Sequence, residues 1–294
     1  MEPVPIAHIG ILVADLETSR ARWSKTLGMP FSPIVRYRST AWSNLADPAP
    51  HPSDLRQTIY LGADPSIEIQ EFVANGSHAP TKGEGGHHLG FPPVLDSQVR
   101  REELTDLGVG IDGEVQHDGR WIMQFTDSRA LNNTSTEWVE ASPGHLDLKD
   151  DGSPVDKLPD GSQTVFEAET ILELGGERPP SGIVELGLAV ADLDAAVTLW
   201  SAVTGYAFDM SPDGDRSAVS RGFTPAVRLV ETTPSAREGL CYAVIETADI
   251  AATRARLERE DVPLVGGTLP PSEGADVDPR YLNGFAIRFR HIGG

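Results

Sequence analysis

Apolar runs alternate with polar stretches along this chain, and the alternation repeats at long range. The segment HIGILVADLETSRARWSKTLGMPF, from His8, aligns without a gap with ELGLAVADLDAAVTLWSAVTGYAF, from Glu185. Nine of the 24 aligned positions are identical. Each copy begins with an apolar run typical of a buried strand, continues with an aspartate at a helix N-cap position, and then shows the period of an amphipathic helix that ends near a glycine. The chain therefore contains an internal duplication.

A weaker copy of the same pattern follows each strong one. Residues 88–95 lead into Asp96 and a predicted helix, and residues 242–247 lead into Asp249 and another. Short strand-like runs separated by turn residues come after every helix. The pattern predicts four βαβββ units that begin near residues 6, 86, 183 and 240. Trp23 and Trp200 fall on the apolar faces of the repeated helices, so we expect both in the core.

Length and composition predict two domains with a connector between them. The chain has 294 residues, of which 39% are apolar and 23% charged, and a domain usually spans about 150 residues. Residues 143–181 are rich in proline, glycine and aspartate, as linkers often are. We therefore predict a first domain at 1–142, a linker at 143–181 and a second domain at 182–294. The segment VFEAETILEL within the linker fits either a strand or a short helix.

Charge and cysteine content narrow the classes of partner. The net charge of −20 predicts an acidic surface that repels nucleic acid and anionic membranes, so we expect neither as a partner. The single cysteine, Cys241, leaves no internal disulfide and no cysteine-cluster metal site. The first residues, MEPVPIAHIG, lack the features of a signal peptide, which favours a cytoplasmic protein. The sequence does not fix the oligomeric state, and a homodimer stays open.

Histidine and glutamate recur at matching positions in the first two units. His8 begins the first unit and His88 the second, each followed by an apolar residue and a glycine. The last strands of the two units share the pattern x-Glu-apolar-x-Glu, in which Glu68 and Glu137 are the first glutamates. Because side chains alternate along a strand, Glu68 and Glu137 are predicted to face the same side of the sheet.

The same alternation predicts that several neighbouring residues face away from these four. His87 is expected to point to the side opposite His88, and Glu71 and Glu140 to the side opposite the first glutamates. Glu140 would replace Glu137 only if the strand register slipped by one residue. We expect the remaining histidines to be solvated or to form local hydrogen bonds: His51, His78, His117, His145 and His291.

Four βαβββ units with His8, Glu68, His88 and Glu137 on their first and last strands resemble the vicinal oxygen chelate superfamily. This superfamily includes glyoxalase I, methylmalonyl-CoA epimerase, extradiol dioxygenases and bleomycin- or fosfomycin-resistance proteins. The resemblance covers the chain outside the linker and implies an α+β fold in which the modules pair into two cupped sheets. It also implies one divalent metal ion bound by His8, Glu68, His88 and Glu137. The His-Glu-His-Glu order is that of bacterial glyoxalase I, and the stretch GGHHLGF resembles the second unit of the epimerases.

This ligand set suggests a reaction type. Imidazole and carboxylate ligands suit Zn, Ni, Co, Fe or Mn, and leave positions for two vicinal oxygens of a small-molecule substrate. A polarised carbonyl makes the neighbouring C–H acidic, and Glu137 or Glu68 is the expected base. The preferred hypothesis is a lyase or isomerase of the glyoxalase I or epimerase type. An extradiol-type dioxygenase and a metal-free small-molecule-binding protein of the resistance type are the alternatives.

The second half departs from the ligand pattern. The counterparts of the four residues are Glu185, Arg228, Tyr242 and a residue among Ala286 to Arg288. These do not form a metal set, so we interpret the second half as a degenerate copy. Glu185 and Arg228 are expected to form a salt bridge in place of the metal.

Residues 36–57, RYRSTAWSNLADPAPHPSDLRQ, are predicted to form a polar insertion in the first unit. Loops of this length are often lids or binding segments. Arg36, Arg38 and Arg56 could bind a carboxylate, a phosphate or coenzyme A, with Trp42 as a flat contact. A solvated loop is the alternative.

Overall fold

The computed structural model describes residues 3–140 and 182–292, apart from 61–64, 93, 95, 118–119, 213–215, 234 and 267–269. The predicted linker, with its segment VFEAETILEL, lies outside the described residues, and the division into two domains stays a prediction. The helices are α1 (Leu16–Leu27), α2 (Ser97–Asp106), α3 (Leu193–Thr204) and α4 (Ile250–Arg259). No helix in this part of the chain is long and apolar enough to span a bilayer.

The first eight strands close into a barrel. They are β1 (His8–Val13), β2 (Val35–Asn44), β3 (His51–Ile59), β4 (Ser66–Glu71), β5 (Gly85–Gly90), β6 (Ile111–His117), β7 (Arg120–Thr126) and β8 (Ser135–Val139). Their order around the barrel is β1-β4-β3-β2-β6-β7-β8-β5. Along the chain, one strand, one helix and three strands occur twice, which confirms the predicted βαβββ units.

The second eight strands form an open sheet with the same internal order. They are β9 (Ile183–Val190), β10 (Phe208–Met210), β11 (Ser217–Ser220), β12 (Ala226–Glu231), β13 (Gly239–Thr247), β14 (Leu264–Val265), β15 (Gly274–Val277) and β16 (Ala286–His291). The sheet order is β10-β11-β12-β9-β13-β16-β15-β14. The barrel closes where β2 pairs with β6, whereas the corresponding strands of the second sheet, β10 and β14, are short and lie at opposite edges.

An aspartate caps the N-terminus of each helix, as the sequence predicted. The side chain of each of these residues accepts a backbone N–H from the first turn: Asp15, Asp96, Asp192 and Asp249. Helices α1 and α3 end at Gly28 and Gly205, both with φ of 76°. A residue with a Cβ is strained in that left-handed conformation, so the two glycines end the helices at matching points.

One hydrophobic core joins the barrel to the second sheet. Trp23 and Trp200 are both buried in it, which confirms their predicted place. The Trp23 ring lies 5.7 Å from the ring of Phe285, so aromatic side chains of the two halves are in direct contact. Arg256 of α4 donates hydrogen bonds to the carbonyls of Lys25 and Thr26 in the last turn of α1.

Residues 36–57 are not a loop insertion, and that prediction was wrong. They form most of β2 and β3, which pair antiparallel. Trp42 is buried inside the barrel, with its ring 6.1 Å from that of Phe125. Arg36 binds Asp54 at 2.6 Å, and Arg56 binds both Glu71 and Glu17; the side chain of Arg38 lies outside the described structure. The outward residues of this hairpin are polar, and they hid the strand pattern.

Candidate metal centre

The central strands of the barrel bring the four predicted residues together. β1 and β5 run antiparallel, and each is flanked by the parallel last strand of its own unit, β4 or β8. In this register Gly10 pairs with both Glu68 and His88. The potential ligand atoms of His8, Glu68, His88 and Glu137 all lie within 4.8 Å of one another.

The distances within this group fit a single divalent ion. Nε2 of His8 lies 2.8 Å from Oε2 of Glu137 and 3.1 Å from Nε2 of His88. Nε2 of His88 lies 3.2 Å from Oε2 of Glu137 and 3.4 Å from Oε2 of Glu68. The same Oε2 atom of Glu68 lies 3.8 Å from Nε2 of His8. Ligand atoms bound about 2.1 Å from one ion are roughly 3–3.5 Å apart. The side chains therefore have the spacing of ligands around one metal ion.

Two glycines make room for the two imidazoles. A Cβ on Gly10 would lie 1.9 Å from Cε1 of His88, and a Cβ on Gly90 would lie 2.0 Å from Cε1 of His8. Each ring therefore lies against the glycine of the other unit, across the antiparallel pairing of β1 and β5. This explains the sequence pattern His-apolar-Gly in both units, because any larger residue would displace a ring.

The group is buried and its electrostatics favour a positive charge. Glu68, His88 and Glu137 are almost fully buried, while the side chain of His8 is 20% exposed and forms the open side. Burial by itself lowers the pKa of His88, but Glu137 and Glu68 outweigh it and raise the pKa to about 9. Burial raises the pKa of Glu137, but His8 and His88 outweigh it and hold that pKa well below its usual range. The two carboxylates thus favour a positive charge beside the imidazoles, and a divalent ion bound there would supply it.

His87 does not face away from His88, and that prediction was wrong. Gly10 pairs with His88, but the next residue, Ile11, pairs with Gly86, so His87 is the extra residue of a β-bulge. The bulge turns its ring beside that of His88, with Nδ1 atoms 2.9 Å apart. The other nitrogen of His87, Nε2, lies 2.7 Å from the backbone carbonyl of Ser77.

His78 is also inside the barrel. The expected local hydrogen bond is present, since Nδ1 lies 2.8 Å from Oγ of Ser77, but the side chain is buried rather than solvated. Its ring lies 4.7 Å from that of His87. Burial lowers the pKa of His78 to about 3 and the pKa of His87 well below its usual value, so both are neutral near pH 7. His78, His87 and His88 form a second group of three potential ligands.

The second glutamates of the strand motif lie outside this site, as predicted. Glu71 binds Arg56 and accepts the backbone N–H of Leu16, the first residue of α1. Glu140 accepts a hydrogen bond from Ser97, the first residue of α2. Both carboxylates therefore face the helices.

The remaining histidines lie away from the site or outside the described structure. Nδ1 of His51 lies 2.8 Å from the carbonyl of Ala49, and His291 is exposed. The side chain of His117 and all of His145 lie outside the described structure.

The second sheet places the four counterpart residues at the same positions. Glu185 binds Arg228 with distances of 2.9 and 3.0 Å, which confirms the predicted salt bridge. Tyr242 donates a hydrogen bond to Glu185 at 2.9 Å, and the guanidinium of Arg288 lies 4.0 Å from the centre of the Tyr242 ring. Two arginines thus stand where the barrel has glutamates. Among the residues that the structure describes, groups of three or more potential metal ligands occur only in the barrel.

Comparison with solved structures gives the fold. The chain is similar to a variant of 4-hydroxymandelate synthase from Streptomyces coelicolor, with a TM-score of 0.60 and 11% identity over 100% of this chain and 94% of that one. It is similar to the 2,3-dioxygenase LapB from Pseudomonas sp. KL28, with a TM-score of 0.55 and 13% identity over 100% and 94%. It is also similar to the Mn(II)-bound glyoxalase from Novosphingobium aromaticivorans, with a TM-score of 0.55 and 10% identity over 99% and 83%.

The sequence comparisons give nothing comparable. No protein-family model matches the chain, and no curated protein matches it. At identities of 10–13%, the structural likeness shows a shared fold. It confirms the fold class that the sequence predicted.

Proposed function

We propose that this chain, which has the fold of the vicinal oxygen chelate superfamily, is a metal-dependent lyase or isomerase of the glyoxalase I or epimerase type. Its reaction is the abstraction of a proton next to a carbonyl of a small substrate with vicinal oxygens. One observation carries the proposal. His8, Glu68, His88 and Glu137 come from four different strands and converge in one buried group with ligand spacing.

The donor set suits a borderline divalent ion such as Zn, Ni, Co, Fe or Mn. His8 and His88 would provide nitrogen ligands, and Glu68 and Glu137 oxygen ligands. A divalent ion held there would act as a Lewis acid that polarises a substrate carbonyl and acidifies the neighbouring C–H bond. The partial exposure of His8 indicates the side from which a substrate would approach.

Glu137 is the proposed base, with Glu68 as the second candidate. Oε2 of Glu137 contacts His8 and His88, whereas its Oε1 is buried and has no hydrogen-bond partner among the described residues. Such an oxygen can take a proton from a substrate without first breaking another contact. Glu68 approaches His88 at 3.4 Å through Oε2 and belongs to the same group of four potential ligands.

The barrel interior beside the site is apolar with a few polar groups. Trp42, Leu55, Met123 and Phe125 surround a cavity of about 30 Å³, which Gln70 also lines. Apolar walls of this kind exclude water and strengthen the electrostatic interactions of the buried carboxylates.

Two buried amides add polar groups to this interior. Gln57 pairs with Gln70 across β3 and β4 and shares its face of the sheet. Both atoms of the Gln57 amide, and Oε1 of Gln70, have no hydrogen-bond partner among the described residues. Buried amides usually find a partner, so these two are suited to bind a polar substituent of a substrate.

Deuterium exchange tests the reaction type without knowledge of the substrate. The protein, purified without chelator, is loaded with one divalent metal and incubated in D₂O with small 2-oxo and 2-hydroxy carbonyl compounds. We expect metal-dependent exchange of the C–H next to the carbonyl of at least one compound, followed by NMR. Glu137→Gln is expected to lower the exchange rate roughly 100-fold or more, because it removes the base.

Glu71→Gln is the matched control, since Glu71 lies on the opposite face of β4 and contacts Arg56. It should exchange at the wild-type rate. Equal rates for Glu137→Gln and wild type would contradict the assigned base. Protein that neither contains nor binds metal would instead support the metal-free binding alternative.

An extradiol-type dioxygenase is the second candidate. Two histidines and one carboxylate, as in His8, His88 and Glu137, are also a donor set for Fe(II) in oxygenases. The fold likeness to the Pseudomonas 2,3-dioxygenase supports this reading. Oxygen consumption by Fe(II)-loaded protein with catechols, measured with an oxygen electrode, would favour it over the isomerase proposal.

A further inference from the structure

We propose that His87 is a positioning residue that fixes the tautomer and orientation of His88, and this inference rests on the proposed metal site. The two residues are neighbours in the sequence, yet their side chains are in direct contact. Nδ1 of His87 lies 2.9 Å from Nδ1 of His88, and Nε2 of His87 lies 2.7 Å from the carbonyl of Ser77. Both rings are buried.

The backbone carbonyl of Ser77 determines which nitrogens of His87 and His88 donate and which accept. A carbonyl oxygen only accepts, so Nε2 of His87 carries the hydrogen and donates it. In a neutral imidazole the other nitrogen, Nδ1 of His87, is then an acceptor. It faces Nδ1 of His88, which must therefore carry a hydrogen.

The resulting tautomer of His88 is the one that a metal site needs. With its hydrogen on Nδ1, His88 presents the lone pair of Nε2, and Nε2 is the atom that lies 3.1–3.4 Å from the ligand atoms of His8, Glu68 and Glu137. Groups that hold the second nitrogen of a ligating histidine orient the ring and raise its affinity for metal. His87 performs this role here through a neutral imidazole rather than a carboxylate.

The β-bulge that brings His87 beside His88 also occurs in the second sheet, but the bulge residue there is not a histidine. In the second sheet, Leu240 pairs with Leu188 and Tyr242 with Gly187, so Cys241 is the extra residue. Its Sγ lies 3.3 Å from the carbonyl of Gly187. The bulge residue is thus a histidine, His87, where the next residue is the potential ligand His88. It is a cysteine, Cys241, where the next residue is Tyr242.

Another arrangement uses the same atoms differently. His78, His87 and His88 could themselves hold an ion, because their nitrogens also lie within 4.8 Å of one another. In that case Nδ1 of both His87 and His88 would be ligands, and neither could carry a hydrogen. If His87 positions His88, Nδ1 of His88 carries a hydrogen and replacing His78 should not change metal affinity. If the three histidines bind the ion, Nδ1 of His88 carries no hydrogen and replacing His78 should weaken binding.

Metal titration of the full chain tests the inference. Chelator-stripped wild type and variants are titrated with Co(II) against a chromophoric chelator, with circular dichroism to verify folding. We expect His87→Leu to bind one Co(II) per chain roughly 10–100-fold more weakly than wild type, with altered Co(II) absorption bands. His87→Asn should recover most of the affinity, because its amide oxygen can accept the hydrogen of Nδ1 of His88. His78→Leu, the matched control beside the same ring, should bind within about threefold of wild type, since it makes no hydrogen bond to His88.

Nitrogen NMR of Zn(II)-loaded wild type gives a readout that needs no variant. Hydrogen on Nδ1 of His88 and on Nε2 of His87 is the expected result. Wild-type affinity in a folded His87→Leu variant, equal losses in His78→Leu and His87→Leu, or two ions per chain would overturn the inference.

The titration distinguishes a failure of the positioning role of His87 from a failure of the proposed metal site. If wild type binds Co(II) and His88→Leu abolishes binding while His87→Leu does not change it, the metal site stands and the role of His87 is wrong. If wild type itself binds no metal, the proposed function fails, and with it the ligand that His87 would position.

Discussion

Gly10 and Gly90 are the residues on which the geometry of the candidate site depends most directly. Each lacks the Cβ that would collide with an imidazole of the other unit. We expect Gly10→Ala to displace His88, to lower metal affinity at least about 10-fold, and to cost about 1–3 kcal/mol of stability through overpacking. Isothermal titration with Zn(II) and thermal unfolding measure the two effects.

Gly110→Ala provides the control for this substitution. A Cβ there would meet its nearest neighbour, Cβ of Asp127, at an ordinary 3.8 Å. It should leave metal affinity unchanged. Undiminished affinity in Gly10→Ala would mean that the ring of His88 can bind metal from another position.

Residue-level prediction from the sequence was accurate where strands are regular and failed where they are not. Alternation and the repeat were enough to bring His8, Glu68, His88 and Glu137 to one face. His87 was misplaced because a bulge adds one residue and reverses the alternation, and no local sequence signal marks it. His78 was missed because it lies in a short 3₁₀ turn, Gly76–His78, where no strand period applies.

At the level of elements, a carboxylate of the last strand binds the first helix turn in the first and third units. Asp192 caps α3 by accepting the backbone N–H of Ala195, while Glu231 of β12 approaches the N–H of Leu193 at 3.3 Å. Glu71 makes the same contact with α1 in the barrel. Glu231 of the third unit therefore keeps the second glutamate of the strand motif, although Arg228 stands at the position of the first. The second glutamate is kept because its role is structural.

Asp192→Ala is expected to destabilise the chain by about 1 kcal/mol, since an N-cap side chain satisfies a helix N–H that alanine leaves unpaired. Thermal unfolding monitored by circular dichroism measures the change. Asp194→Ala, in the same first turn but mostly exposed, is the control and should be nearly neutral. Equal effects of the two substitutions would indicate that charge in the first turn, rather than the cap, provides the stabilisation.

Element-level prediction succeeded for the units and failed for residues 36–57, which were interpreted as a loop insertion but form most of β2 and β3. The strand-helix-strand order followed from apolar runs, aspartate caps and glycine ends. The pairing of β2 with β6 could not be foreseen, because it joins strands far apart in sequence whose outward residues are polar. Trp42, interpreted as a loop contact, lies inside because β2 closes the barrel.

Across the whole molecule, the two halves differ in what balances their buried charges. In the second sheet, Arg228 balances the charge of Glu185, which also accepts a hydrogen bond from Tyr242. Arginine cannot lose its proton to become a ligand. We expect one tightly bound metal ion per chain, measured by elemental analysis after gel filtration. Glu185→Ala should lower stability by about 1–2 kcal/mol and leave the metal content unchanged. Two equivalent tight ions per chain would contradict the assigned asymmetry.

The shared core makes a further prediction for the whole chain. Because Trp23 packs against Phe285 and one continuous core includes residues of both sheets, neither half can unfold without exposing apolar surface of the other. Metal bound in the barrel should therefore stabilise the second sheet as well. With free metal at about 100 times Kd, linkage predicts about 2.7 kcal/mol of added stability. Calorimetry should show a single transition that moves to higher temperature with metal, and amides of β13 and α4 should exchange more slowly with solvent. Two transitions, of which only one responds to metal, would show that the barrel and the second sheet unfold independently despite their contact.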